Sequence, residues 1–194
     1  MKNTKELQQV QIKSVDANEK PAFIKTNLVT CERGGQEFKW ETIETKDSVH
    51  VLLVDHSNEE IILVEQVRVP VLIKDDSQDG QVIEACAGLV DKDIPIEQIV
   101  KEEILEECGY DIPITSITAV KTLKSSVGTA GSNAHTFVAN VSDKEKVSLG
   151  GGLPGEDINV IRISFEEAPH FFFNPNVHTD AVTMFLTMYW LQNN

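Results

Sequence analysis

Along most of the chain, apolar residues alternate with polar ones or gather in short β-branched runs, and they recur at helical spacing in only two places. "FIKTNLVTCERGGQEFKWETIET" reads as two strands around a turn at Gly34-Gly35, a pairing common at hairpin tips. Runs at 49–54 and 61–67 repeat the pattern around a turn near Ser57-Asn58. A further strand is predicted at 81–87, after the polar loop "KDDSQDG". The period then changes. Ile96, Ile99, Val100 and Ile104 form an apolar stripe that predicts a helix, with Asp93 as N-cap, Pro95 in the first turn and Gly109 as the stop. Strands follow at about 115–124, 134–141 and 157–164, the last behind the loop "LGGGLPGED". "TDAVTMFLTMYWLQ" closes the chain as an amphipathic helix, and residues 1–20 read as a loose polar arm. Strands, helix, strands, helix, joined mostly by hairpin-type connections, predict an α+β fold with a mixed or antiparallel sheet covered by helices.

With 194 residues the chain has room for one domain with a real core, or a main domain with a small appendage. Its formal net charge of −14 speaks against a nucleic-acid or anionic-membrane partner, since both require a basic patch. A phosphate substrate would need a cation between it and the protein. Cys31, Cys86 and Cys108 are too few and too scattered for a disulfide framework, and no Cys/His spacing suits zinc. "MKNTKELQQVQIKS" holds no apolar stretch of signal-peptide type. A soluble, cytoplasmic protein is expected.

The first helix ends in "VKEEILEECGYD", which crowds Glu102, Glu103, Glu106 and Glu107 into its last turns. A run of charge on a helix is usually a solvated face. Here, however, Glu102/Glu106 and Glu103/Glu107 are like-charge i,i+4 pairs costing roughly 0.2–0.5 kcal/mol each, and they lie at the negative end of the helix dipole. Lys101 relieves only part of this. Paired carboxylates one turn apart suit a hard divalent cation, which takes oxygen ligands and shares its shell with substrate phosphates.

Gly88, Glu103, Ile104, Glu106, Glu107, Gly109 and Tyr110 follow the spacing G-x5-E-x7-R-E-U-x-E-E-x-G-U, with U apolar, so the chain resembles a Nudix hydrolase. It departs from that box at Ile94, where the first Glu is expected, and at Glu102, where an Arg is expected. "KWETIETKDSV", "ILVEQVRVPV", "VIEACAGLVD", "SVGTAGSN" and "GGGLPGED" extend the likeness over residues 39–157 and are similar to the branch holding UDP-sugar diphosphatases and ADP-ribose pyrophosphatases.

The resemblance implies a Nudix fold, a mixed sheet sandwiched between helices with an N-terminal antiparallel strand region. It divides the chain into an arm and hairpin over 1–45, serving dimerisation and substrate binding, and a Nudix hydrolase domain over 46–194. A homodimer is implied. Glu103, Glu106 and Glu107, with the Ala87 carbonyl, would hold Mg2+, with Mn2+ as its substitute, and Glu84 would lie close by. Glu106, Glu107 and Glu156 would be catalytic, and Trp40, Arg68, Gly88 and Ser132 would bind substrate. Val127 and Ser132 replace a Pro and a Glu of the ADP-ribose enzymes, which tilts the expectation towards a UDP-sugar. The implied reaction is Mg2+-dependent hydrolysis of a nucleotide sugar to a nucleoside monophosphate and a sugar 1-phosphate. The two departures leave a second reading open, a Nudix-fold protein that binds nucleotide sugar with weakened turnover.

Overall fold

Gly34 and Gly35 both adopt left-handed φ angles, 59° and 79°, and close the turn between β1 (Lys25–Arg33) and β2 (Gln36–Glu44). The two strands pair antiparallel from Lys25↔Glu44 to Arg33↔Gln36. They form a two-stranded ribbon of their own. The computed structural model describes residues 7–16, 19–20, 24–74 and 79–194; parts of the predicted arm, of the "KDDSQDG" loop and the first residue of the predicted first strand lie outside these. Residues 7–16 form neither helix nor strand, and the Gln8 N–H donates to Asp157 at 2.6 Å.

The main sheet is built on β3 (Ser48–Asp55) and β4 (Glu60–Val67). Both strands are covered on both faces, which is why they read as unbroken apolar runs. Val49, Val51 and Leu53 face one core with Ile62 and Val64, whereas Leu52, Val54, Ile61 and Leu63 face the other. The strand order is β5 (Gln81–Glu84), β4, β3, β8 (Ser132–Asn140), β7 (Ile117–Ser125), with β6 (Cys86–Leu89) also joined to β3 and β9 (Ile158–Ser164) to β4. The β3–β8 pairing is parallel and the others are antiparallel, so the sheet is mixed.

The single strand expected over 81–87 is two. β5 (Gln81–Glu84) pairs with β4, the chain changes partner at Ala85, and β6 (Cys86–Leu89) pairs with β3. At the switch the buried Ala85 N–H donates to the Thr183 hydroxyl at 2.8 Å, so no donor is orphaned. A short helix, α1 (Val69–Lys74), has no predicted counterpart; Pro70 sits in its first turn, where a missing N–H does no harm.

Helix α2 (Ile96–Glu103) covers the first core with Ile99 and Val100. Its N-cap is Pro95, not Asp93, and no side chain caps it; the Gln98 and Ile99 N–H groups bond the Pro95 carbonyl instead. The helix widens into a π-type turn over Ile104–Cys108, and Gly109, at φ 76°, ends it. β7 (Ile117–Ser125), β8 (Ser132–Asn140) and β9 (Ile158–Ser164) fall within two residues of their predicted bounds.

Behind the second core lie α3 (Ala168–Phe171) and α4 (Ala181–Asn193). The Asp180 carboxylate caps α4 by accepting from the Val182 and Thr183 N–H groups. The buried stripe of α4 is Thr183, Leu186, Thr187 and Trp190. Two of the four are polar while Tyr189 outside the stripe is exposed, so its sidedness comes from placement rather than from an apolar-versus-polar pattern. Among the described residues no helix is long and apolar enough to cross a membrane.

Candidate active site

Strand β6 and the end of α2 face each other across the first core, and Glu103 reaches over Gly88. A methyl group at Gly88 would occupy the place where the Glu103 carboxylate now lies, so the glycine leaves room for that side chain beside the strand. Glu107, only 6% exposed, is held one residue earlier: the Ala87 N–H donates to its Oε2 at 3.0 Å. The Cys86 thiol lies beside the same carboxylate and favours its charged form.

The electrostatics of this pair are strained. Burial, reinforced by the charges of Glu107 and Glu106, pushes the Glu103 carboxyl up to about 7. Burial also pushes Glu107 up to about 7 against the stabilising Ala87 N–H bond and Cys86 thiol, with the Glu156 charge adding to the rise. Among the described residues no group of three or more His, Cys, Asp or Glu side chains stands close enough together to hold a metal ion by itself. Yet hard oxygen donors, desolvated and mutually repelling, are the donor set that an open Mg2+ site presents, because such an ion keeps several waters and completes its shell with phosphate oxygens. The residues fit a divalent ion.

The loop over 148–157 closes the end of the helix. The Gly151 N–H donates to the Glu107 carbonyl at 2.9 Å and the Gly152 N–H to the Glu106 carbonyl at 3.0 Å. A side chain at Gly150 would strike the Glu107 carbonyl, so the run of glycines is a condition of this close docking. The docked loop carries Glu156, whose Oε2 accepts the Leu153 N–H at 2.7 Å. Glu156 is exposed, and its charge reaches both Glu103 and Glu107.

Arg68 lies at the end of β4, and its Nε donates to Glu84 Oε2 at 2.7 Å. Burial raises the Glu84 carboxyl and the Arg68 charge opposes the rise; the same guanidinium also acts on Glu107. Arg68 and Glu84 open onto a cleft of about 650 Å3 whose far wall includes His178, Thr179, Asp180 and Met184.

Trp40 and Ser132 form a second group. Trp40, on β2 and 52% exposed, donates its indole N–H to the Gly128 carbonyl at 2.9 Å, which ties the ribbon to the 126–131 turn. Ser132 opens β8 directly after that turn. The group shares an end of the sheet with Gly88, since Ser48 pairs with both Leu89 and Ala134. No bond joins it to the carboxylates among those described.

Two contributors escaped sequence reasoning. Cys86 precedes Ala87 on the strand, and alternation would have pointed its thiol towards α2. Lys92 lies in the loop before α2 and donates to Glu102 Oε2 at 2.5 Å; no periodicity marks it, because a loop has none.

No family model matches the chain. It is 35% identical over 130 residues to the GDP-mannose pyrophosphatase of Salmonella typhimurium, covering 67% of this chain and 66% of that relative's length. It is 31% identical over 182 residues to uridine diphosphate glucose pyrophosphatase NUDT14 of Mus musculus, covering 80% of this chain and 82% of the relative. A solved structure described as an ADP compounds hydrolase superposes with a TM-score of 0.69 over 97% of both chains at 20% identity, a likeness of fold.

Proposed function

The chain belongs to the Nudix hydrolase family, and on that premise we propose that it hydrolyses the diphosphate bond of a nucleoside-diphosphate sugar, releasing a nucleoside monophosphate and a sugar 1-phosphate. The observation that carries this reading is the Glu103–Glu107 pair, two desolvated carboxylates held against Gly88 and Ala87 beside Glu106. Glu103, Glu106 and Glu107, with the Ala87 carbonyl, would hold Mg2+, or Mn2+ in its stead. When bound, the ion offsets phosphate charge and makes a water more acidic.

The chain's own residues do the rest. Arg68, held by Glu84, is placed to take phosphate oxygens or the sugar, and the cleft behind it has room for a sugar ring. Glu156, an exposed carboxylate fixed by a backbone N–H at the rim, takes the proton of the attacking water. Trp40 offers a flat aromatic face to the base, and Gly88 and Ser132 line the approach. The ribbon also exposes Leu28 and Val29, in keeping with a homodimer whose residues 1–45 serve the interface and whose domain over 46–194 carries the chemistry. A cytoplasmic setting accords with three free thiols.

The relatives' names, GDP-mannose and uridine diphosphate glucose pyrophosphatase, together with the replaced ADP-ribose residues, favour a sugar nucleotide over ADP-ribose. The test is a panel of UDP-glucose, GDP-mannose and ADP-ribose, each with Mg2+, with Mn2+ and with chelator, reading which monophosphate appears. Metal-dependent release of UMP or GMP in excess of AMP is expected. No release from any of the three would sink the proposal.

A further inference from the structure

Glu102 stands where the box has an arginine, so four carboxylates end the helix with no cation of their own. The lysine next to it on the helix does not help: Lys101 is bonded to Asp111 at 2.9 Å. Glu102 is instead bonded on both oxygens, Oε2 from the Lys92 ammonium at 2.5 Å and Oε1 from the Gln98 amide at 3.3 Å. Lys92 reaches it from the loop between β6 and α2, ten residues earlier. Its ammonium also interacts with the charges of Glu103 and Glu106, and it opposes the repulsion that Glu103 meets from Glu106 and Glu107.

We propose that Lys92 is the positioning cation of the carboxylate platform, docked from the loop, and that Glu102 is its anchor rather than a further metal ligand. The charge that the box places on the helix has moved ten residues along the chain and returns to nearly the same place through space. This rests on the reading of the site as a metal-dependent hydrolase. It also explains how a Glu can occupy the arginine position without adding an unbalanced charge: each oxygen of Glu102 already has a donor, and an ion there would have to sit beside the Lys92 ammonium.

The test is calorimetric titration of Mn2+ into the substrate-free chain, for the wild type, Glu102→Gln and Lys92→Met, with kcat and KM measured in parallel. Glu102→Gln is expected to keep the number of bound ions and to change affinity by less than about threefold. Lys92→Met lets the carboxylates leave register and should weaken Mn2+ by about three- to tenfold. The same variant should lower kcat by about tenfold with a smaller change in KM, because the carboxylates are no longer held in register. The charge-swapped pair Lys92→Glu with Glu102→Lys, which puts the cation back on the helix, should recover most of that kcat.

Loss of a bound ion in Glu102→Gln, or Mn2+ weakened more than tenfold, would make Glu102 a ligand and overturn the proposal. So would an unchanged Mn2+ isotherm in Lys92→Met, with only a lower Tm, which is what a mere surface staple gives. A wild-type chain that binds Mn2+ but releases no nucleotide defeats the hydrolase reading alone and leaves the titrations to decide Lys92. A wild-type chain that binds no Mn2+ defeats both.

Discussion

Glu107→Gln should make the metal-free protein more stable while destroying its activity, and the gain should depend on pH. Glu107 is 6% exposed, and its carboxyl is raised from 4.5 to about 7. In the folded protein the group therefore holds its proton through a range where the unfolded chain has released it. Stability from this group is fully present below the unfolded value of 4.5 and is lost as pH rises through 7. At about 1.4 kcal/mol per tenfold change in proton affinity, the rise from 4.5 to about 7 corresponds to roughly 3 kcal/mol of destabilisation above about pH 8. Glutamine has nearly the same shape and its carbonyl can accept the Ala87 N–H, but its amide meets the Cys86 thiol less favourably, so a net gain of about 1–3 kcal/mol is expected. Urea unfolding with chelator present, at pH 5.5 and pH 8.5, measures it. The gain should appear at pH 8.5 and shrink towards zero at pH 5.5. Saturating Mg2+ should stabilise the wild type and not the variant, and hydrolysis should fall by about a hundredfold or more. A variant less stable than wild type at pH 8.5, or a difference that does not vary with pH, would refute the claim that Glu107 is a desolvated carboxylate awaiting a cation.

Two further outcomes test the scaffold. Gly88→Ala puts a methyl group where the Glu103 carboxylate lies; the flexible end of that side chain can swing aside, so the variant should weaken Mn2+ binding at least about tenfold while costing under about 1 kcal/mol in urea unfolding. Thr183→Val is close to isosteric but removes the acceptor of the Ala85 N–H and the donor to Asp180 Oδ2; a loss of about 2–3 kcal/mol is expected, with the spectroscopic signature of the sheet intact.

The legible parts of the sequence were those in which a local repeat is enforced by burial. β3 and β4 were visible because both faces are covered, leaving no polar alternation to confuse the pattern, and α2 because its stripe packs on one core. Glu103, Glu106 and Glu107 were set apart from the charge run by the likeness to the family box, because i,i+4 spacing alone pairs Glu102 with Glu106 as readily as Glu103 with Glu107. Features set by distant partners were not legible. The partner switch at Ala85 is secured by Thr183, 98 residues away, and nothing near Ala85 announces it. Lys92 meets Glu102 through a loop whose path has no period. The widened turn at Ile104–Cys108 likewise follows ordinary helix-forming residues, and the group of Ala87 that holds Glu107 is the N–H, whereas the resemblance implies a role for its carbonyl.

The acidic cluster and the glycine-rich loop are two halves of one electrostatic solution. The end of a helix is a poor place for carboxylates because its last carbonyls are unsatisfied and carry partial negative charge. Here those carbonyls are taken. The Gly151 and Gly152 N–H groups bond the carbonyls of Glu107 and Glu106, and the Lys146 ammonium donates to the Cys108 carbonyl at 2.5 Å. What remains at the site is desolvation and the repulsion of the side chains themselves, which an incoming cation can relieve. Lys146 reaches this point at a cost, since burial lowers its pKa, and its position over the Tyr110 ring, 4.4 Å from the centroid, offsets part of that cost. The loop that quiets the helix end is also the one that carries Glu156 to the rim. The docking of this loop therefore makes the carboxylate cluster tolerable and brings the Glu156 charge within reach of Glu103 and Glu107, which gives a physical reason for glycines rather than bulkier residues at 150–152.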